Sequence, residues 1–150
     1  MTQDAWEAYR IGAIRDYAES KVRTGAWPAE GAVERSEREF SELLPSGVAT
    51  PDHDVRSIVD ETGATVGTLW FGPIDIGGRR TCFIYDFEVS AAQRGRGYGR
   101  QALEALEPLA REQGYDAIAL HVFGDNEVAR KLYRSSGYIE TDVQMRKSLG

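Results

Sequence analysis

The sequence predicts an α+β fold, a mixed β-sheet with helices packed on it, and three observations carry that reading. Two apolar patterns of helical period open the chain, and three strand-like runs follow in succession. Helix and strand patterns then alternate to the C-terminus. With 150 residues, 41% apolar and 28% charged, and no repeat or low-complexity tract, a single domain over 1–150 with a real core is expected.

Each element has its own warrant. Residues 4–24 place Trp6, Tyr9, Ala13, Tyr17 and Ala18 at helical spacing, and Gly25 closes that helix. Trp27-Pro28 is expected to open a second helix, with Val33, Phe40, Leu43 and Leu44 on one stripe and Pro45-Ser46-Gly47 ending it. Strands are expected over Val55–Asp60, Thr65–Phe71 and Thr81–Val89. Glu61-Thr62-Gly63-Ala64 reads as a hairpin turn, and Gly72–Arg80 as a longer loop. A helix over 99–113 turns Ala102, Leu103, Leu106, Leu109 and Ala110 inward, with Pro108 breaking the local rule and Gly114 capping the end. Ala117–Phe123 reads as a strand, Val128–Ser136 as a short helix capped by Gly137, and Tyr138–Lys147 as one or two terminal strands.

Composition narrows the function. Cys82 is the sole cysteine, which excludes an internal disulfide, and its apolar surroundings suggest a buried inert thiol. Two histidines, His53 and His121, make a multi-histidine metal site improbable, so no metal is expected. Met1 to Trp6 lacks the pattern of a signal peptide and no apolar run reaches membrane-spanning length, so the expectation is a cytoplasmic protein without a membrane partner. A net charge of −6 argues against nucleic acid and favours cationic partners such as amines.

Against that acidic background, Val89-Ser90-Ala91-Ala92-Gln93-Arg94-Gly95-Arg96-Gly97-Tyr98-Gly99 stands out. Three glycines lie between a strand-like and a helix-like run, and Arg94, Arg96 and Arg100 reverse the local charge. Glycines there let the backbone turn its amides toward a ligand, and the next helix adds its own unsatisfied N–H groups and partial positive charge. Such a turn suits phosphate. It is not a dinucleotide fingerprint, because Arg100 stands where the third glycine would be, and no Gly-Lys-Ser/Thr of a P-loop follows.

A second segment runs from Asn126 through Ala129, Leu132 and Tyr133 to Gly137-Tyr138. With Arg94-x-x-Gly97-x-Gly99 lying 27 residues upstream of Asn126, counted from Gly99, the chain resembles the GNAT superfamily of acetyl-CoA-dependent N-acetyltransferases. The resemblance covers roughly residues 55–147; the proline usual near Ala91 is missing. It implies a twisted, mostly antiparallel sheet flanked by helices, with the two N-terminal helices added.

The same resemblance implies roles. Amides of Arg94, Gly95, Arg96, Gly97, Tyr98 and Gly99, and of the next helical turn from Arg100, would hold the pyrophosphate of coenzyme A. The strand ending Asp86-Phe87-Glu88-Val89 would pair with pantetheine as an added strand, an amide near Phe87–Val89 polarising the thioester carbonyl. Asn126, with Ala129 in the same signature, would hold the pantetheine arm, and Tyr133 would protonate the departing thiolate. Each residue also has a purely structural use: Asn126 as an N-cap, Leu132 and Tyr133 as the buried stripe of a helix, Tyr138 as the apolar contact after a helix-ending glycine.

The chemistry needs a neutral amine, and freeing a lysine-like amine of pKa about 10.4 at pH 7 costs about 4–5 kcal/mol. Asp86 and Glu88, two residues apart and so on one strand face, are the candidate bases, directly or through water. They could equally satisfy backbone or arginine partners. Tyr85 is a candidate for binding, His121 an alternative base, and His53 a loop residue. The N-terminal helices, Trp27 and Trp70-Phe71 would line the acceptor cleft. The expected partners are acetyl-CoA and an amine, small molecule or protein, with a homodimer left open. The alternatives are a non-catalytic acyl-CoA sensor on the same fold, or a longer acyl donor.

Overall fold

The computed structural model describes Met1–Gly150 and runs α1 (Gln3–Arg23), α2 (Ala32–Leu43), β1 (Asp54–Val59), β2 (Thr65–Ile76), β3 (Arg79–Val89), α3 (Tyr98–Glu112), β4 (Ile118–Leu120) and α4 (Glu127–Ser135). The sheet order is β1-β2-β3-β4, with the first two pairings antiparallel and β3–β4 parallel. The mixed, mostly antiparallel sheet with flanking helices matches expectation.

The sheet separates two cores. On one face Leu69, Phe71, Cys82 and Ile84 pack against Leu103, Leu106 and Ala110 of α3 and against Tyr115. On the other, Val55 and Trp70 pack against Trp6 and Ile14 of α1 and Phe40 and Leu44 beyond. Phe71, fully buried, contributes about 2–3 kcal/mol by transfer alone. Burial pushes the Cys82 thiol up to about 11, in keeping with an inert cysteine.

Four boundaries depart from the sequence reading. Helix α2 starts at Ala32, not at Pro28, because Gly31 takes a left-handed conformation (φ 74°) before it. Its buried residues are Ala32, Ser36 and Phe40, while Val33 and Leu43 are exposed. Ser36 is the reason a polar residue fits inside: its hydroxyl donates to the Ile14 carbonyl of α1 at 2.7 Å.

The expected loop over Gly72–Arg80 is mostly strand. Gly77 and Gly78, both at positive φ, form a two-residue turn, so β2 and β3 extend to meet it. Pro73 is tolerated because β1 pairs only as far as Phe71, which leaves β2 with a free edge there. Strand β4 is three residues long instead of seven. Tyr138–Lys147 forms no strand, since so short a β4 offers no ladder on its outer edge. No helix is long and apolar enough to cross a membrane.

Candidate active site

The sheet opens where its parallel strands part. β4 pairs with β3 only at Cys82, Phe83 and Ile84, so from Tyr85 to Val89 that edge of β3 has no strand beside it. Pairing with β2 shifts in the same place: Trp70 faces Asp86 and Phe71 faces Ile84, leaving Tyr85 as an extra residue. This bulge re-aims the strand. Tyr85 stacks on Trp70 at 4.9 Å and Asp86 meets Tyr9, so two consecutive residues face α1 and α2, while Phe87 turns to the α3 side.

The bulge also decides which amides face the open edge. The Cys82 N–H donates to Ala117 O, toward β4, and the Ser90 N–H to Val66 O, toward β2. Alternation counted back from Ser90 therefore puts the Phe87 and Val89 amides on the open edge. The Phe87 N–H is taken by its neighbour, Asp86 Oδ1, at 3.0 Å. The Val89 carbonyl accepts from Arg94 Nε at 2.9 Å.

Beyond β3 lies the glycine turn. Gly95 and Gly97 adopt positive φ, and a Cβ built on either meets nothing closer than Gln101 Nε2 at 3.8 Å. Gly97 is the N-cap of α3 and supplies no side-chain cap. The amides of Tyr98, Gly99 and Arg100 are thus without helical or side-chain partners, a receptor that fits a pyrophosphate. Gly99 serves packing instead: a Cβ there would stand 3.0 Å from Leu132 of α4 and 3.7 Å from Phe87.

Helix α4 faces this cradle. Asn126 caps it, Oδ1 accepting from the Ala129 N–H at 3.2 Å, and its amide nitrogen makes no protein hydrogen bond. The Arg100 guanidinium donates to the Ser135 carbonyl at 3.3 Å and hydroxyl at 2.7 Å, so this side chain ties α3 to α4 and does not reach into the cradle. Arg96 is exposed and free of protein partners. Tyr133 lies half-buried between Phe87 and Tyr138, ring centroids 6.4 and 5.8 Å away. Burial, with Tyr138 and Asp86 adding, pushes its phenol up to about 12 and keeps it a neutral donor.

The acids lie across the strand. Asp86 Oδ2 accepts from Tyr9 Oη at 2.8 Å. Burial raises the Asp86 carboxyl above the usual carboxylate range, and Glu88 adds to that, while the Tyr9 hydrogen bond opposes it. Glu88 is exposed, 3.9 Å from Arg94, and lines a groove of about 440 Å³ with Tyr9, Asp16, Ser57 and Thr68. No three His, Cys, Asp or Glu side chains are placed to hold a metal ion.

His53 lies in the loop before β1, as expected; its ring closes over Gly72, and Nδ1 accepts from Trp70 Nε1 at 3.0 Å. Phe71 belongs to the α3-side core and not to an acceptor cleft. Tyr9 was missed as a site residue, because only the folded chain brings it to Asp86 across 77 positions.

The geometry has counterparts in known proteins. Residues 13–138 match the model of the acetyltransferase (GNAT) family. The uncharacterized N-acetyltransferase YycN of Bacillus subtilis is 40% identical over 99% of this chain and 96% of its own length. Its crystal structure superposes with a TM-score of 0.90, covering 99% of this chain and 95% of that one. A second protein of that organism, the uncharacterized N-acetyltransferase YdgE, is 35% identical over 99% of this chain and 95% of its own. The mycothiol acetyltransferase of Propionibacterium freudenreichii is 33% identical over 79% of this chain and 36% of its own length.

Proposed function

Because the chain belongs to the GNAT family and is an acyltransferase, we propose that it transfers the acetyl group of acetyl-CoA to a primary amine by direct attack in a ternary complex. The observation that carries this reading is the pairing of an open strand edge with an uncapped glycine cradle one loop away. Acetyl-CoA supplies an activated thioester; the chain must hold it, orient it and move two protons.

The residues divide that work. Amides from Gly95 through Arg100 hold the pyrophosphate, helped by the helix N-terminus. The β3 edge at Phe87 and Val89 receives the pantetheine arm, with the Asn126 amide group on its other side. Asp86 accepts the proton of the attacking amine, its raised pKa making it a better base than an exposed carboxylate. Glu88 and Asp16 draw the cationic amine into the groove. Tyr133, still protonated at neutral pH, gives its proton to the thiolate as the carbon–sulfur bond breaks. Nothing in the site favours the binding-only alternative.

A screen of primary amines against acetyl-CoA with thiol-release detection tests the reading. Turnover on at least one amine is expected, obeying sequential and not ping-pong kinetics. Acetyl-CoA binding without turnover on any amine would overturn it.

A further inference from the structure

Lys21 near the C-terminal end of α1 has an unusual setting. Its ammonium lies 5.4 Å from the Tyr17 ring centroid, 5.8 Å from Trp27 and 6.0 Å from Phe123. Three aromatic faces hold the charge but accept no hydrogen bond of ordinary strength from it. The half-buried Lys21 makes no ion pair and no side-chain hydrogen bond, in a chain with more acids than bases. Asp125 pairs with Arg23 at 2.8 Å, and Glu39 lies 3.9 Å from Arg35. Arg35 in turn stacks on Trp27, 4.4 Å from its centroid.

The location gives this cation a use. Phe123 follows β4 where that strand leaves β3, while Tyr9 touches Asp86 on β3 itself. Helix α1 therefore bridges the opening, with an acid on one wall and a caged ammonium on the other. Twelve residues separate Tyr9 from Lys21, about 18 Å along a helix rising about 1.5 Å per residue. An acceptor whose amine lies beside Asp86 and that extends along α1 by this distance would bring its far end to Lys21. We propose that Lys21 is a specificity-determining residue that binds an anionic group on the acceptor, remote from the nitrogen that is acetylated. The acceptor class is then an extended amine bearing a carboxylate, such as a short peptide, and not a simple polyamine. The inference rests on the proposed amine acetylation and on Asp86 marking the amine's position.

Matched probes test it. Di- to pentaglycine as free acids and as C-terminal amides are compared as acceptors, in the native chain and in Lys21→Met, Lys21→Arg and Lys21→Glu. For at least one length the free acid is expected to exceed its amide roughly tenfold or more in kcat/KM. That ratio should persist in Lys21→Arg, fall toward one in Lys21→Met and invert in Lys21→Glu. Independently of turnover, the Trp27 indole N–H resonance should move on titration with the free acid but not the amide, and lose that response in Lys21→Met.

Equal rates for acid and amide, with Trp27 silent, overturn the assignment while leaving amine acetylation intact. If no peptide is turned over, the Trp27 titration decides alone: a carboxylate-specific shift supports the site, and its absence overturns it. An acetyl group found on Lys21 also overturns it, since the lysine would then be an acceptor and not an anchor. Failure of the native chain to bind acetyl-CoA would instead bring down the underlying reaction.

Discussion

Tyr9 donates its hydroxyl proton to Asp86 Oδ2 at 2.8 Å, joining the first helix to the bulged strand across 77 positions. The bond holds the candidate base in place and also tunes it. Burial raises the Asp86 pKa and the Tyr9 hydrogen bond pulls it back down. Tyr9→Phe removes only the opposing influence, so the acid limb of the kcat/KM profile should move to higher pH. Leaving the carboxylate oxygen without its donor should also cost about 1–3 kcal/mol of stability. A pH–rate profile and a denaturant titration read the two effects; an acid limb that stays put would separate Asp86 from the chemistry.

Asp86 itself should oppose stability as pH rises. Its native pKa lies above the unfolded value near 3.8, so between the two the folded chain holds a proton that the unfolded chain has released. Stability then falls with increasing pH across that window, and the loss persists above it. Asp86→Asn removes this dependence and should flatten the melting temperature against pH above 4. Turnover should drop about a hundredfold or more as the base is lost. A variant that keeps both the slope and the rate would exclude Asp86 as the titrating base.

Tyr133→Phe should lower kcat by about 10–100-fold with little change in acetyl-CoA affinity, as expected for a proton donor that acts late. The native phenol, at about 12, stays protonated through the working range. The basic limb of the native profile below pH 10 should therefore be unaltered in shape in the variant. Steady-state kinetics and equilibrium binding of acetyl-CoA make the comparison.

Much of this site was legible because its signals are local. The glycine turn, the cap at Asn126 and the short helix ending at Gly137 are each written within a few residues of where they act. The boundaries that failed depend on partners. Gly77-Gly78 makes a tight turn only because β2 and β3 have register to extend toward it, and Tyr138–Lys147 lacks a strand because β4 stops short. The Asp86–Glu88 alternation was read correctly, but the extra residue at Tyr85 decides that this face meets α1 and that the Phe87 and Val89 amides meet the open edge. A bulge is a property of two strands together. Tyr9 and the cage around Lys21 need the same third dimension.

The two glycines of the loop should fail in different ways, because they are glycine for different reasons. Gly97 has positive φ and open space around it, so Gly97→Ala costs about 1–2 kcal/mol of backbone strain, while Gly97→Glu sets a carboxylate against the pyrophosphate cradle. Acetyl-CoA binding should be lost in Gly97→Glu, with kcat at saturation a secondary matter. Gly99 has ordinary backbone and a crowded side, 3.0 Å from Leu132. Gly99→Ala should push α4 outward and carry Tyr133, one residue along, away from β3. Its kcat should then fall more than its acetyl-CoA affinity. Shortening the obstructing side chain reverses the push, so Leu132→Ala in the Gly99→Ala background should recover rate even though it opens a cavity. Kinetics of both single variants and the double variant measure that coupling; strictly additive losses would show that Gly99 acts through its amide and not through the α3–α4 contact.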